Sequence, residues 1–293
     1  MSQLRFAIVT GAAAGIGQAT VRLLVRDGWR VGAFDLDEHG LKALSADIGP
    51  DRVFTRSFDV TDDDAWRAAA AAFATWSGER LHGLVNNAGV IAVGAFGDIP
   101  LARTRRLLDV NIMGVLNGIH ACLPMLAGTP GARIINVSSI AALSGWPYSS
   151  AYSASKAAVY NLTEALAAEL APVGVGVCDV LPSFVGTELV AEDRSVAALR
   201  TTLRTFSIAR TNPTRIARHI VKAIDSRKLH HVVGRQAHVY AFVSRYLPPL
   251  ARAMSRVMRR RYVAALATTP LASETTVDGP PPPATARRAE PSE

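Results

Sequence analysis

From residue 4 to about 235, short and nearly continuous apolar runs alternate with stretches whose apolar residues recur at helical spacing. No other feature of the chain restricts its fold so strongly. LRFAIVT (4–10), WRVGAFD (29–35), RVFTRSF (52–58), LHGLVNN (81–87), ARIINVSS (132–139), VGVCDVLP (175–182) and HHVVG (230–234) read as strands. Helices are predicted over 16–27, 37–47, 61–76, 101–126, 151–171, 187–206 and 213–226. Strands that are apolar on both faces suit a parallel sheet buried on both sides. With right-handed crossovers, the alternation gives a doubly wound α/β fold of about seven strands with helices on both faces.

Composition agrees. At 293 residues and 49% hydrophobic, the chain can bury a large core and is too apolar to be disordered throughout. No window of 18 uncharged apolar residues occurs, so no membrane-spanning helix is expected. The start, MSQLRFAIVTGAAAG, lacks the basic region and longer apolar run of a secretory signal. Cys122 and Cys178 lie in separate apolar segments and read as reduced core thiols of a cytoplasmic protein rather than as a disulfide. Residues 1–239 are expected to form one domain, 240–266 a basic amphipathic helical extension, and 267–293, rich in Pro, Thr, Ser and Ala, a disordered tail.

The first strand ends in Thr10-Gly11-Ala12-Ala13-Ala14-Gly15-Ile16-Gly17, directly before a helix. Gly11 permits a tight turn, and Gly15 and Gly17 allow close approach of backbone to a pyrophosphate and of helix to sheet. The amides of the first helical turn then face an anion. Glycines are common in ordinary turns, so the flanking strand and helix carry the inference. Asp35 ends the second strand, 18 residues after Gly17. A carboxylate there accepts hydrogen bonds from ribose hydroxyls and repels a 2′-phosphate, which favours NAD over NADP. Asp35 could instead cap the next helix, a task for which Asp37 is also available.

Tyr152 and Lys156 are spaced i, i+4 at the start of a helix, so they share a face. A free phenol is a poor acid or base at neutral pH, and a neighbouring ammonium lowers its pKa. Alone, such a pair is common on exposed helices. Here Ser139 ends the fifth strand, Asn86-Asn87-Ala88-Gly89 ends the fourth, and Asn111 interrupts an otherwise apolar helix. In a doubly wound sheet the carboxyl ends of the strands converge on one crevice.

Taken together, TGAAAGIG (10–17), Asp59-Val60, NNAG (86–89), Asn111, Ser139 and YSASK (152–156) resemble the short-chain dehydrogenase/reductase family in order and spacing over about 1–190. The resemblance implies a Rossmann-like fold, a nicotinamide cofactor and no metal. It implies that Tyr152 is the general acid/base and that Lys156 binds the nicotinamide ribose and lowers the Tyr152 pKa. Ser139 would hold the substrate oxygen, and Asn111 would hold a water leading from Lys156. The cofactor would meet Gly11, Ala14, Gly15, Ile16, Gly17, Asp35, Asp59, Val60, Asn87, Ala88 and Gly89, together with Pro182, Val185 and Thr187. Ser183 stands where the family usually has Gly, so the wall there can differ. The family also implies a homodimer or homotetramer built on the helices near 101–126 and 151–171.

Ile140, Leu143, Trp146, Tyr148, Phe184 and Leu189 are candidates for an apolar substrate wall, or else simply core. No Lys or Arg falls within 140–151 or 182–191. An apolar secondary alcohol or ketone of steroid-, retinoid- or lipid-like character is therefore expected as substrate. A catalytically silent dinucleotide-binding scaffold is the alternative, which the intact set of Asn111, Ser139, Tyr152 and Lys156 disfavours.

The net charge of +8 is unevenly placed: residues 200–262 carry 15 Lys/Arg against one acid. Within 240–262, Leu250, Met254, Val257 and Met258 form an apolar stripe among arginines. This segment could contact an anionic membrane, a second subunit or the active-site mouth. A peripheral membrane position follows only from the first of these. Nucleic acid is not an expected partner, because no aromatic platform accompanies the charge.

Overall fold

Seven strands form one parallel sheet: β1 (Phe6–Thr10), β2 (Arg30–Asp35), β3 (Val53–Ser57), β4 (Gly83–Asn86), β5 (Arg133–Val137), β6 (Gly176–Pro182) and β7 (His230–Val233). Their order is β3-β2-β1-β4-β5-β6-β7. The structure is a computed structural model that describes residues 4–183, 194–205 and 211–269. Successive residues of each strand serve opposite faces. On β1, Ala7 and Val9 enter a core with Val21, Leu24 and Ile220, whereas Phe6 and Ile8 enter one with Trp66, Phe73 and Ile119.

Helices α1 (Gly15–Arg26), α2 (Glu38–Ile48) and α8 (Pro213–Ile224) cover the first face. Helices α3 (Asp63–Ser77), α5 (Gly114–Ala127) and α6 (Ser150–Glu169) cover the second, and α4 (Leu101–Leu108) packs against α6. Asp62 caps α3 by accepting a hydrogen bond from the Ala65 amide, and Asp37 caps α2 through the Gly40 amide. Cys122 and Cys178 are buried free thiols, which burial pushes up to about 12 and about 11.

Two expectations need correction. The segment expected as one helix over 101–126 contains a π turn, Asp109–Met113, between α4 and α5, with Asn111 at its centre. The whole run Leu101–Ala127 also has the length and composition of a membrane span, with mean hydropathy 1.4, but half of that window is buried inside the protein. It packs against the sheet through Val115, Ile119 and Leu126.

The second correction concerns the end of the described chain. Helix α9 (Arg235–Tyr246) runs across residue 239, and α10 (Pro248–Thr268) follows at Pro248-Pro249. With α7 (Arg194–Thr205) they build a third core around Trp146, Leu181, Leu199, Met258 and Tyr262. The face of α10 turned inward is Ala251, Met258, Tyr262 and Ala265. Of the expected stripe, Met258 is buried and Met254 half-buried, whereas Leu250 and Val257 are exposed. Of the helix expected over 187–206, residues 187–193 and 206 lie outside the described residues, as does most of the expected tail, 270–293.

Candidate active site

The chain leaves β1 for β2 and β3, then crosses back to β4 on the other side of β1. That reversal opens a crevice at the carboxyl ends of β1 and β4. Gly11, Ala14, Gly15, Ile16, Asp35, Asp59, Val60, Asn87, Ala88 and Gly89 line it. A second hollow is lined by Ser139, Tyr152, Lys156, Pro182 and Trp146. The two adjoin, sharing Ile16, Asn87, Gly89 and Val90.

The glycine-rich turn has its shape for local reasons. Gly11 and Gly15 have φ of +65° and +57°. A methyl at Gly17 would lie 1.9 Å from the Gly11 carbonyl oxygen. Gly17 therefore sits beneath the turn and lets it close, without lining the crevice. No side chain caps α1, whose N-cap is Ala14. The first-turn amides are thus available to an anion from the crevice.

Neighbouring loops hold the turn. Thr10 Oγ1 accepts the Asn87 and Ala88 amides at 3.0 Å each. Asn87 Nδ2 donates to the Thr10 and Gly11 carbonyls. Asp35 accepts the Ala13 amide at 2.9 Å and the Asp37 amide at 3.0 Å. Asp59 accepts from Thr61 and pairs with Arg106 at 2.6 Å. Burial alone would raise the Asp59 carboxyl, but the hydrogen bonds from Arg106 and Thr61 outweigh it and hold the pKa below its ordinary value. Arg106 is the cation among the crevice's lining residues, and that carboxylate engages it. A glycine-built turn, an uncapped helix start and a carboxylate at the end of β2 together fit a dinucleotide.

Asn111 lines neither hollow. It is fully buried, and its amide ties two segments together. Oδ1 accepts the Val90 amide at 2.8 Å, and Nδ2 donates to the Val90 carbonyl at 3.0 Å and to Ser155 Oγ at 2.9 Å. The loop after β4 is thereby fixed to α6. A methyl on Gly89 would meet Asn111 Oδ1 at 3.2 Å, a tight contact, and Lys156 Nζ at 3.5 Å, an ordinary one.

Tyr152 and Lys156 stand one turn apart on α6, with Nζ 5.8 Å from the phenol ring centre. Lys156 is buried, and its Nζ donates to the Val137 carbonyl at 2.9 Å. Burial pushes its ammonium down to about 8. Burial raises the Tyr152 phenol above its ordinary value, and a hydrogen bond with Ser139 pulls it part of the way back. In the protein by itself the phenol is therefore held protonated at neutral pH, rather than lowered by Lys156 as the motif implied. The pair suits a proton donor next to a cation that stabilises the phenolate left behind.

A model of the family described as short chain dehydrogenase matches residues 5–197. The chain belongs to the short-chain dehydrogenase family. A probable oxidoreductase of Mycobacterium tuberculosis, EphD, is 33% identical over 270 residues, covering 85% of this chain and 44% of that protein. The chain thus spans less than half the length of this relative. A 3-alpha-(or 20-beta)-hydroxysteroid dehydrogenase of the same organism is 39% identical over 199 residues, covering 67% of this chain and 75% of the relative. The crystal structure of a short chain dehydrogenase from Burkholderia cenocepacia in complex with NADP matches with a TM-score of 0.72 at 27% identity, over 86% of this chain and 98% of that one.

The hollow beside Tyr152 differs from the wall expected for this family member. Trp146 lines it, but Ile140, Leu143 and Tyr148 belong to the third core. Tyr148 is stacked on Tyr262 with ring centres 3.8 Å apart. Phe184, Val185, Thr187 and Leu189 lie outside the described residues. Val90, Ile91, Ser149, Leu199 and Arg200 take part instead. Arg200 corrects the expectation of a wall without cations. It comes from α7, distant in sequence from both Ser139 and Tyr152, and nothing in the local pattern marks it. Ser183, in place of the family's glycine, hydrogen-bonds Thr211 at 2.7 Å and fixes the end of β6.

Proposed function

We propose that this chain is an oxidoreductase that moves a hydride between a nicotinamide cofactor, preferably NAD, and a secondary alcohol or ketone of largely apolar character. The observation that carries this reading is the placement of Ser139, Tyr152 and Lys156 on one hollow that adjoins the crevice of the glycine-rich turn. When bound, the nicotinamide supplies the hydride acceptor or donor. Gly11, Ala14, Gly15 and Ile16 would hold its phosphates, Asp35 its adenosine ribose, and Asp59 with Val60 the adenine end.

The chain's own residues handle the proton. Ser139 donates to the substrate oxygen and stabilises charge that develops there. Tyr152 gives its proton to that oxygen during reduction and recovers it during oxidation. Lys156 keeps the phenolate from being an isolated buried charge. Asn111 fixes the loop that separates the two ligands. Trp146, Val90, Ile91 and Leu199 form an apolar wall, and Arg200 borders it. The hydroxysteroid dehydrogenase relative supports a rigid, mainly hydrocarbon alcohol or ketone. The test is turnover of a panel of cyclic and steroidal ketones and alcohols with NAD(H) and NADP(H). Binding of the dinucleotide with no turnover on any member would instead support a silent scaffold.

A further inference from the structure

Helices α9 and α10 meet at Pro248-Pro249, and their outer faces combine exposed apolar side chains with arginines. Val239, Phe242 and Tyr246 recur at i, i+3, i+7 along α9, and Leu247 and Leu250 continue the ridge around the elbow. Phe242 is 58% exposed and Tyr246 67%, and their rings touch at 5.0 Å. Ala237 on α9 and Met258, Tyr262 and Ala265 on α10 already fill the third core, and Val243 and Ala251 are buried beside them. The ridge is thus a second apolar surface, left over after folding.

Charge identifies what can cover it. Residues 235–269 carry seven arginines and no acidic residue. Arg235, Arg245, Arg252, Arg256, Arg259 and Arg260 are all exposed. A second copy placed face to face would set these like charges against one another. An acidic soluble protein would answer the arginines but would have to offer the ridge an apolar surface of its own. Apolar and aromatic side chains flanked by arginines match the acyl boundary and headgroups of an anionic bilayer. The ridge also lies near the catalytic hollow. The Tyr240 hydroxyl on the inner side of α9 accepts from Trp146 Nε1 at 2.7 Å, and Trp146 lines that hollow.

We propose that the α9–α10 elbow docks this protein reversibly on anionic lipid bilayers, with Phe242, Tyr246, Leu247 and Leu250 entering the interface and the arginines meeting headgroups. The docking does not depend on the reaction proposed above. Only its consequence, delivery of an apolar substrate dissolved in the bilayer, rests on that reading.

The full chain is sedimented with vesicles of phosphatidylcholine, with and without phosphatidylglycerol, at low and high salt. Each arginine near an anionic surface raises partitioning about fivefold, so Arg252→Gln with Arg256→Gln lowers it about 25-fold. Phe242→Ser removes an inserted ring and lowers partitioning by roughly tenfold or more. Because these side chains are exposed, the melting temperature of each variant should stay at the wild-type value. Binding that needs phosphatidylglycerol, weakens in salt and is lost in both variants establishes the docking surface. No sedimentation at low salt overturns it, as does binding that survives both variants. Ultracentrifugation showing that Phe242→Ser dissolves a dimer while leaving vesicle binding intact assigns the ridge to a second copy and also overturns it.

Discussion

Asn111→Ala offers a sharp check on how the site is held together. The side chain is fully buried and makes three hydrogen bonds of 2.8–3.0 Å. Truncation strands the Val90 amide and carbonyl at once. Ser155 Oγ keeps its bond to the Tyr152 carbonyl at 2.8 Å and loses less. Each stranded group costs about 1–3 kcal/mol, less where water can enter, so the loss should be about 3 kcal/mol. Asn117→Ala on the following helix is the control. Its amide reaches the Val60 and Thr61 carbonyls at 3.2 and 3.3 Å from a half-buried position, and its loss should cost about 1 kcal/mol. Urea unfolding with an unchanged slope measures both. The Asn111 variant should also lose turnover out of proportion to its stability, because Gly89 and Val90 border both hollows. Equal losses for the two variants would refute the assignment of Asn111 as the tie between the β4 loop and α6.

Two further outcomes follow from the same geometry. Asp35→Ala removes the acceptor for the Ala13 and Asp37 amides and for the ribose. The Michaelis constant for NAD should rise roughly tenfold or more while NADP becomes usable, and a wild-type protein that already favours NADP in steady-state assays contradicts the role given to Asp35. The third outcome concerns pH. Lys156 is charged below about 8 and neutral above, and Tyr152 stays a phenol at neutral pH. kcat/KM for ketone reduction should therefore be flat through neutrality and fall as pH rises through about 8. Lys156→Arg should carry that fall to higher pH, and a falling limb that stays in place assigns it to another group.

The strands were readable because a parallel sheet buried on both faces writes itself as continuous apolar runs, and each run from β1 to β7 lies within two residues of its observed ends. The glycine-rich turn and the Tyr152–Lys156 pair were equally plain, since local spacing determines their geometry. The π turn at Asn111 was not, because one extra residue in a helix leaves its apolar spacing nearly unchanged. The inward face of α10 is not legible in the sequence because alanines at 251 and 265 make half of it, while Leu250 and Val257 of the expected stripe are exposed. Arg200 escaped because a pocket wall gathers side chains from distant elements. Ile140 and Tyr148 are near Ser139 and Tyr152 in sequence, yet they pack away from the hollow into the third core.

Proton transfer by Tyr152 is tested by Tyr152→Phe, which removes the hydroxyl and keeps the ring. Cofactor binding by fluorescence titration and turnover on the best ketone of the panel would be measured on the same preparation. An unchanged dissociation constant for NADH and a fall in kcat of roughly 10²–10⁴-fold are expected. Retention of more than about a tenth of the wild-type rate would contradict proton transfer by Tyr152, because a positioned general acid contributes at least that much.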